Sequence, residues 1–374
     1  MKIGFRNIFK RKDQRFSYKL RQWFLLSVFW ILMGIIIPVY DHLLMLGNFP
    51  PEQLVNQELS VDLAYNISAS ILASLLAGPS LVFLVNNRVQ RRSYGYAILS
   101  VVGSFVVVMI IVTSIIGISL AKVNSGEFPF FSERASRIFW AYLFSPFQLK
   151  LILVWSLITM ATQFFFQVND KFGPGLLWDF IRGKYREPQE EMRIFMILDI
   201  TGSTKIAEKL GNKDYYNLLR DFFADITPAI VDNRGEIYQY VGDEVVVSWE
   251  YPEGFNIKNC INCYFDARER LAKLESKYLE KYGLLPEFKA SINAGPVTAG
   301  EIGIIKKDIT YSGDVLNTTA RILGKCKEYQ RNLLISGSLI SKIEGYKAIS
   351  FERMGSVLLR GKSESIEIYA IDKT

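Results

Sequence analysis

The sequence predicts two parts of different fold class: an N-terminal all-α membrane domain of four transmembrane helices, and a C-terminal α+β domain. Half of the 374 residues are hydrophobic, a fraction at the upper end for soluble proteins. The long apolar runs all lie before residue 170, whereas short strand patterns and amphipathic helical patterns alternate from residue 191 onward. These observations predict that the membrane spans lie in the N-terminal part of the chain and that any catalytic site lies in the C-terminal part.

Four apolar runs each approach or exceed the ~20 residues that a helix needs to cross the hydrocarbon core of a bilayer. They cover approximately residues 23–46, 65–86, 95–121 and 148–168. The N-terminus does not resemble a cleavable signal peptide, because its basic region is long and no small-residue cleavage site follows the first run. We therefore predict a basic N-terminus at 1–22, a transmembrane domain at 23–168, a linker or coupling segment at 169–190 and a soluble domain at 191–374.

The distribution of positive charge predicts the orientation of these spans. The first 21 residues carry eight Lys or Arg and one Asp, whereas residues 47–64 carry three acidic residues and no Lys or Arg. Because loops rich in Lys and Arg stay in the cytoplasm, we predict a multi-pass protein of the cell (inner) membrane with its N-terminus and its soluble domain in the cytoplasm. The net charge of +7 then reflects topology and contact with the lipid bilayer, and we expect no nucleic-acid partner.

The cysteine and histidine content excludes several catalytic classes from the soluble domain. The chain has three Cys, which indicates no disulfide framework, and the pair Cys260 and Cys263 lies in a helical pattern that favours a core position or a partly exposed thiol pair over zinc binding. The only His is His42, so Ser-His-Asp, Cys-His and His-ligated zinc chemistry are excluded there. Chemistry in this domain must use carboxylates, amides, hydroxyls, Arg and Lys.

One stretch of the soluble domain combines a carboxylate with a phosphate-binding pattern. An apolar strand at 194–198 ends in Asp199, and the small-residue turn of Gly202, Ser203 and Thr204 leads into a helical pattern. Ligand sites in α/β folds favour the carboxyl ends of strands. The N-terminus of a helix offers unpaired N–H groups and positive potential to phosphates. The stretch therefore predicts a metal–nucleotide site that needs a second acid.

Two later segments supply candidates for the rest of this site. Asp243 follows Gly242 between two strand patterns, and a carboxylate at a hairpin tip can approach one that ends a neighbouring strand ~4.8 Å away. Asn317 and Arg321 are four residues apart in a helical pattern and share one face of the helix. An amide can orient a sugar oxygen, and a guanidinium can stabilise charge on phosphorus.

The segments FMILDITGST, GEIYQYVGDEVVVSW and YSGDVLNTTAR occur in this order, and together they resemble the class III nucleotidyl cyclases, the adenylyl and guanylyl cyclases. The resemblance covers about residues 191–374. It implies a cyclase-type, ferredoxin-like or palm-like α+β fold. It also implies a site that holds two Mg²⁺ or Mn²⁺ ions and acts on a nucleoside triphosphate.

The resemblance implies a role for each matching residue. Asp199 and Asp243 match the metal-binding aspartates, with the Ile200 carbonyl assisting one ion. Asn317 and Arg321 match the pair that orients the ribose and stabilises the transition state. Arg360 falls where the family has a triphosphate-binding Lys.

The residues that would contact the base are less regular. Thr310 falls where adenylyl cyclases carry Asp or Thr and guanylyl cyclases typically carry Cys, which favours ATP. Gln239 departs from the pattern, because adenylyl enzymes usually carry Lys there and guanylyl enzymes Glu. Pro296 stands where some members have a phosphate-contacting Arg.

In this family the active site is shared across a head-to-tail dimer. The aspartates come from one subunit, and the residues corresponding to Gln239, Thr310, Asn317 and Arg321 come from the other. The chain has both sets, which predicts a homodimer with two sites and an inactive monomer. The expected function is a membrane-anchored adenylate cyclase that converts ATP to 3′,5′-cyclic AMP and pyrophosphate.

Four alternatives stay open at this point. A guanylate or other nucleotidyl cyclase would make a different cyclic product. A diguanylate cyclase would explain Gly242-Asp243-Glu244 but leaves Asn317 and Arg321 without a role. A catalytically weak receptor would bind nucleotide without releasing pyrophosphate. A transporter with a regulatory domain is disfavoured, because no predicted span carries buried acid–base pairs and Lys150 lies at a helix end, where it can reach the interface.

Overall fold

The computed structural model describes residues 2–48, 59–79, 81–82, 94–129, 131–172, 179, 182–251, 257–305, 307–340, 349–358 and 365–373. The chain falls into two compact units, residues 1–171 and 172–374.

The first unit consists of helices. They are α1 (Lys2–Asn48), α2 (Leu59–Pro79), α3 (Tyr94–Ser125), α4 (Glu133–Leu143) and α5 (Pro146–Phe172). Within the described residues, three helical stretches are long and apolar enough to cross a membrane, namely Lys19–Asn48, Ile98–Ser125 and Glu133–Asn169. Three such stretches indicate a multi-pass membrane protein, and their orientation stays a prediction.

Four spans are not shown by the structure. The three candidate stretches correspond to the runs predicted at 23–46, 95–121 and 148–168. The run predicted at 65–86 falls partly in α2, but residues 80 and 83–86 lie outside the described residues. The second span therefore stays a prediction.

Aromatic packing and one ion pair join the helices of this unit. Trp30 is fully buried and makes edge-to-face contacts with Phe105 and Trp155, at centroid distances of 5.8 and 6.2 Å. Lys150, predicted from sequence to extend alone to the interface, instead places its Nζ 2.5 Å from Asp41 Oδ2. Because unpaired charges are costly near hydrocarbon, this contact stabilises α1 against α5.

The second unit is an eight-stranded sheet with helices on both faces. Its strands are β1 (Gln189–Ile200), β2 (Glu236–Val241), β3 (Glu244–Glu250), β4 (Phe288–Ile302), β5 (Asp308–Ser312), β6 (Leu333–Ser336), β7 (Ile349–Leu358) and β8 (Ser365–Lys373). Its helices are α6 (Ser203–Asp232), α7 (Lys258–Lys273), α8 (Glu275–Tyr282), α9 (Asp314–Tyr329) and the short α10 (Gly337–Ile340). The strand order is β2-β3-β1-β4-β6-β8-β7, with β5 paired to β4. All strand pairs except β4 with β6 are antiparallel, which agrees with the α+β class predicted from sequence.

The central strand β1 is covered on both faces. Ile194, Met196 and Leu198 belong to the core formed with α6, α7 and α8, while Phe195 and Ile197 belong to the core formed with α9. Successive side chains of a strand point to opposite faces, and a strand buried on both reads as a continuous apolar run. That is why the sequence before Asp199 shows no polar alternation.

The structure shows where the cysteine pair of α7 and two glycines of β4 lie relative to the prediction for each. Cys260 and Cys263 are fully buried in the core, as the helical pattern predicted. The small residues that include Gly295 and Gly300 predict a turn after a strand at 287–293, but both glycines lie inside β4. A Cβ at Gly295 would lie 3.2 Å from Val315 Cβ, so this glycine allows α9 to pack closely on the strand.

Candidate active site

The chain brings two predicted metal ligands together at one end of the sheet. Asp199 lies opposite Glu244 in the register of β1 and β3, and Asp243 precedes Glu244 in the β2–β3 turn. Gly242 takes a φ of 62° there, a left-handed conformation that glycine adopts readily. The carboxyl groups of Asp199 and Asp243 lie within hydrogen-bonding reach of each other.

Negative charge accumulates at this end of the sheet. Burial and the hydrogen bond to Asp243 raise the pKa of Asp199. Burial, together with the charges of Asp199 and Asp243, likewise raises the pKa of Glu244. Lys289 opposes both shifts, since its Nζ lies 3.0 Å from Asp199 Oδ2. Neighbouring carboxylates that disfavour each other's ionisation are stabilised by a cation placed between them.

A divalent cation fits this donor set. Mg²⁺ prefers oxygen ligands and is usually bound by one or two carboxylates together with substrate phosphates. Asp199, Asp243 and the Ile200 carbonyl would supply the protein's oxygen ligands to such an ion. No group of three or more His, Cys, Asp or Glu suited to a metal occurs in the part of the chain that the structure describes, so phosphate oxygens and water would complete the shell.

The turn after β1 leads directly into the N-terminus of α6. Gly202, with a φ of 71°, is the N-cap of α6, and Ser203 is its first residue. The Ile206 N–H donates to the Gly202 carbonyl at 3.1 Å, and the Thr201 N–H donates to the Glu287 carbonyl at 2.8 Å. The predicted turn and helix N-terminus thus directly follow the carboxylate end of β1, while phosphate contact by Gly202, Ser203 and Thr204 stays a prediction.

Two residues near the carboxylates escaped the sequence analysis. Lys289 is there because the antiparallel register of β1 and β4 places it opposite Asp199. Tyr215 is there because α6 is kinked at Gly211, with a φ of 77°, and it hydrogen-bonds to Ser203. Burial and the charge of Asp243 raise the pKa of Tyr215. No local sequence pattern marks either residue, since each reaches the site through tertiary structure.

Asn317 and Arg321 lie on α9, a different element from those that carry Asp199 and Asp243. At one end of this helix Cys326 Sγ contacts the carbonyl of Ala290 at 3.6 Å, and Asp199 lies close enough to influence the pKa of Cys326, which burial raises to about 12. Asn317 precedes Cys326 by nine residues, roughly 13 Å along the helix axis at the usual rise. The N-terminal part of α9, where Asn293 Nδ2 donates to the Val315 carbonyl, thus packs farther from the Asp199 end of the sheet than Cys326 does.

The remaining predicted residues lie at different edges of the domain. Gln239 is exposed on β2, and Thr310 is partly exposed on β5 opposite Gly300. Pro296 lies within β4 opposite Met192. Arg360 lies outside the described residues, so its predicted triphosphate contact stays a prediction.

Comparisons with known proteins give the family and the fold. Residues 185–373 match the model of the adenylate and guanylate cyclase catalytic domain. Adenylate cyclase 2 of Rhizobium meliloti is 31% identical over 221 residues, which cover 59% of this chain and 61% of that protein. The adenylate cyclase of Anabaena cylindrica is 28% identical over 182 residues, or 47% of this chain and 36% of that protein. The matches thus span less than two thirds of these relatives.

A bacterial light-regulated adenylyl cyclase shares the fold, with a TM-score of 0.50 and 21% identity over 62% of this chain and 65% of the other. The family match covers half of this chain and includes both aspartates and the Asn317–Arg321 helix. The chain belongs to the class III adenylyl and guanylyl cyclase family.

Proposed function

We propose that this chain is a membrane-anchored adenylate cyclase that converts ATP to 3′,5′-cyclic AMP and pyrophosphate at a homodimer interface. The observation that carries the proposal is the contact between the carboxyl groups of Asp199 and Asp243 at the ends of neighbouring strands. The adenylate cyclases among its relatives and the Thr310 position support ATP as the substrate.

The carboxylate end would bind the triphosphate. Mg²⁺ or Mn²⁺ bound there would lower the pKa of the ribose 3′-hydroxyl and neutralise phosphate charge. Asp199, Asp243 and the Ile200 carbonyl would hold the metal, and the N–H groups at Gly202, Ser203 and Thr204 would face phosphate oxygens. Lys289, already 3.0 Å from Asp199, keeps that side chain oriented along the strand edge.

The α9 residues would act at the sugar and at the reacting phosphorus. The Asn317 amide holds the ribose so that its 3′-oxygen is in line with the α-phosphorus. The 3′-hydroxyl releases its proton to water, and its oxygen forms a bond to the α-phosphorus while the bond from that phosphorus to the oxygen of the leaving pyrophosphate breaks. The Arg321 guanidinium stabilises the negative charge that develops on the α-phosphoryl oxygens. Gln239 and Thr310 would contact the base.

The separation within one chain supports a shared site. Asn317 lies roughly 13 Å along α9 from Cys326, towards the end of the helix that packs away from Asp199, and we infer that a second copy supplies the amide and the guanidinium. A two-fold dimer contributes the same surfaces from both copies, which gives two equivalent sites. The monomer would then be inactive.

The test is product analysis with the full-length protein purified in detergent. It is incubated with ATP or GTP, each with Mg²⁺ or Mn²⁺, and the products are separated by chromatography. We expect 3′,5′-cyclic AMP and pyrophosphate from ATP, with less cyclic GMP from GTP. Cyclic di-GMP from GTP would instead identify a diguanylate cyclase, and nucleotide binding without pyrophosphate release would identify a silent receptor.

A further inference from the structure

Strand β2 contains a β-bulge next to Gln239. Ile237 lies opposite Val247 and Gln239 lies opposite Val246, so Tyr238 is an extra residue without a partner on β3. A bulge re-aims the side chains around it. The direction of Gln239 therefore depends on the contacts that hold Tyr238 in place.

Tyr238 is held by the residue that follows Thr310. The N–H of Tyr311 donates to the Tyr238 hydroxyl oxygen at 3.3 Å, and the two rings lie 4.9 Å apart. Tyr311 is buried and makes an edge-to-face contact with Phe195 at 5.5 Å. Each of the two tyrosines is thus the immediate neighbour of one predicted base-contacting residue.

This contact joins strands that are distant in the sheet. Strands β3, β1 and β4 lie between β2 and β5, so a flat sheet would separate β2 from β5 by roughly 19 Å, four strand spacings. The two rings can meet only because the sheet curls towards the face that Tyr311 covers. The relative position of Gln239 and Thr310 depends on that curvature.

Arg193 lies beneath the two rings. Its guanidinium carbon is 4.8 Å from the centre of the Tyr311 ring, and the side chain is 2% exposed. Its Nη1 donates to Glu236 of β2 at 2.8 Å, and its Nη2 donates to the hydroxyl of Tyr185 at 3.3 Å. One buried cation therefore contacts β2, β5 and the segment that precedes β1.

Burying an arginine in a protein core costs free energy, because the guanidinium loses its hydration. Apolar residues of similar volume often give equal or greater stability at such a position, and Arg193 Nε finds no acceptor among the residues that the structure describes. What the guanidinium adds is direction, because its planar fork fixes several partners at once. One of these partners, Glu236, lies on β2, which carries Gln239, and the guanidinium also lies over the Tyr311 ring of β5, which carries Thr310.

We propose that Arg193, Tyr311 and Tyr238 form a positioning stack that sets the base selectivity of the nucleotide site. The stack fixes the bulge that aims Gln239 and the strand that carries Thr310, without touching the nucleotide itself. This inference rests on the proposed function, because it assumes that Gln239 and Thr310 contact the base.

The test is the selectivity of Tyr238→Phe, which keeps the ring and removes only the hydroxyl oxygen that accepts from Tyr311. We expect the ratio of kcat/KM for ATP to that for GTP to change about threefold to tenfold, the range set by one hydrogen bond. Tyr278→Phe is the matched control, because it removes a hydroxyl that donates to Asp225 at 2.8 Å, between α8 and α6. The control is expected to lower the thermal midpoint and leave the ratio unchanged.

A third variant separates the two proposals. Gln239→Glu alters the predicted base contact directly and is expected to change the same ratio. A change with Gln239→Glu and none with Tyr238→Phe would overturn the positioning stack and leave the cyclase proposal standing. Equal ratios for Tyr238→Phe and Tyr278→Phe would also overturn the stack. A wild-type protein that forms no cyclic nucleotide would overturn both proposals.

Discussion

Two charged residues of strand β1, Arg193 and Asp199, have different electrostatic environments. Arg193 is buried among the carboxylates of Glu191, Glu236 and Glu250, so its charge is compensated inside the protein. Asp199, six residues later and roughly 20 Å along the strand, lies against a second carboxylate and one lysine. The charge at the Arg193 end is thus neutralised by the protein's own carboxylates, whereas the Asp199 end is expected to gain stability when a cation binds.

The largest expected effect is at the acidic end. Asp243→Ala removes half of the carboxylate pair and is expected to lower cyclic AMP formation by about 10²–10³-fold or more, with little change in the folded state. Arg321→Ala should lose a similar factor, because the charge on the reacting phosphoryl group is no longer stabilised. Both are measured as initial rates with the full-length protein, and a fully active variant would refute the assignment of its residue.

Mixing these two variants tests whether each active site takes residues from both subunits. A mixed dimer has one site that contains both substitutions and one site that contains neither. With random exchange of subunits, the mixture should recover roughly a quarter of the wild-type rate. Two inactive variants that stay inactive after dissociation and reassembly would contradict the shared site.

At the basic end the expected effect is on stability. Arg193→Ala removes a buried guanidinium, but Glu236 and Glu250 are 43% and 53% exposed and can be hydrated, so the loss of stability is expected to be smaller than the ~3–5 kcal/mol typical when a fully buried charge is left unpaired. Arg193→Met keeps the volume and should lose less. The measurement is the thermal unfolding of the C-terminal unit in the full-length protein, and equal midpoints for the two variants would show that the volume of the side chain at this position does not contribute to stability.

A smaller effect with a defined sign is expected from Asp243→Asn without metal. The raised pKa of Asp199 means that folding favours its protonated form. That contribution is complete below the unfolded-state pKa and is lost as the pH rises through the folded-state pKa. Removing the neighbouring charge should therefore raise the thermal midpoint at pH 7 by a few degrees, since ~1 kcal/mol corresponds to about 2–4 °C in a domain of this size.

The same variant should lose the stabilisation that Mn²⁺ gives the wild type. At pH below the ordinary range of Asp ionisation, wild type and Asp243→Asn should unfold at similar temperatures. A lower midpoint for Asp243→Asn at pH 7 without metal would show that the carboxylate pair is not under repulsion.

The smallest effect is expected at an exposed ion pair near Arg193. Lys184 Nζ lies 3.1 Å from Glu250 Oε1, with both side chains partly exposed, and pairs of this kind contribute about 0–1 kcal/mol. Lys184→Met should therefore change the thermal midpoint by a degree or two and leave the preference for ATP over GTP unchanged. A loss as large as that of Arg193→Ala would contradict the distinction between buried and exposed charge.

The sequence located the carboxylate pair because its signals are local. An apolar strand that ends in Asp199 and a Gly-Asp turn before Glu244 are each readable within ten residues, and antiparallel pairing of neighbouring strands then brings them together. Lys289 and Tyr215 had no such signal. Their positions follow from the register of β4 and from the kink at Gly211, which no short segment specifies.

In the membrane unit, too, local sequence predicts some features and only tertiary packing sets others. Hydropathy identified three long apolar helices, because composition alone decides whether a helix can lie in hydrocarbon. It did not identify the partner of Lys150. Asp41 is 109 residues away in sequence, and only the packing of α1 against α5 joins them.

The sequence by itself therefore determined the two classes of domain, the family and the acidic residues, since hydropathy, strand patterning and motif order are properties of the chain alone. Only the tertiary structure decided that the sheet curls until Tyr238 contacts Tyr311, and that the N-terminal part of α9 packs away from the Asp199 end of the sheet. The physical reason is that curvature and separation arise from contacts between residues distant in sequence, whose free energy no local pattern records.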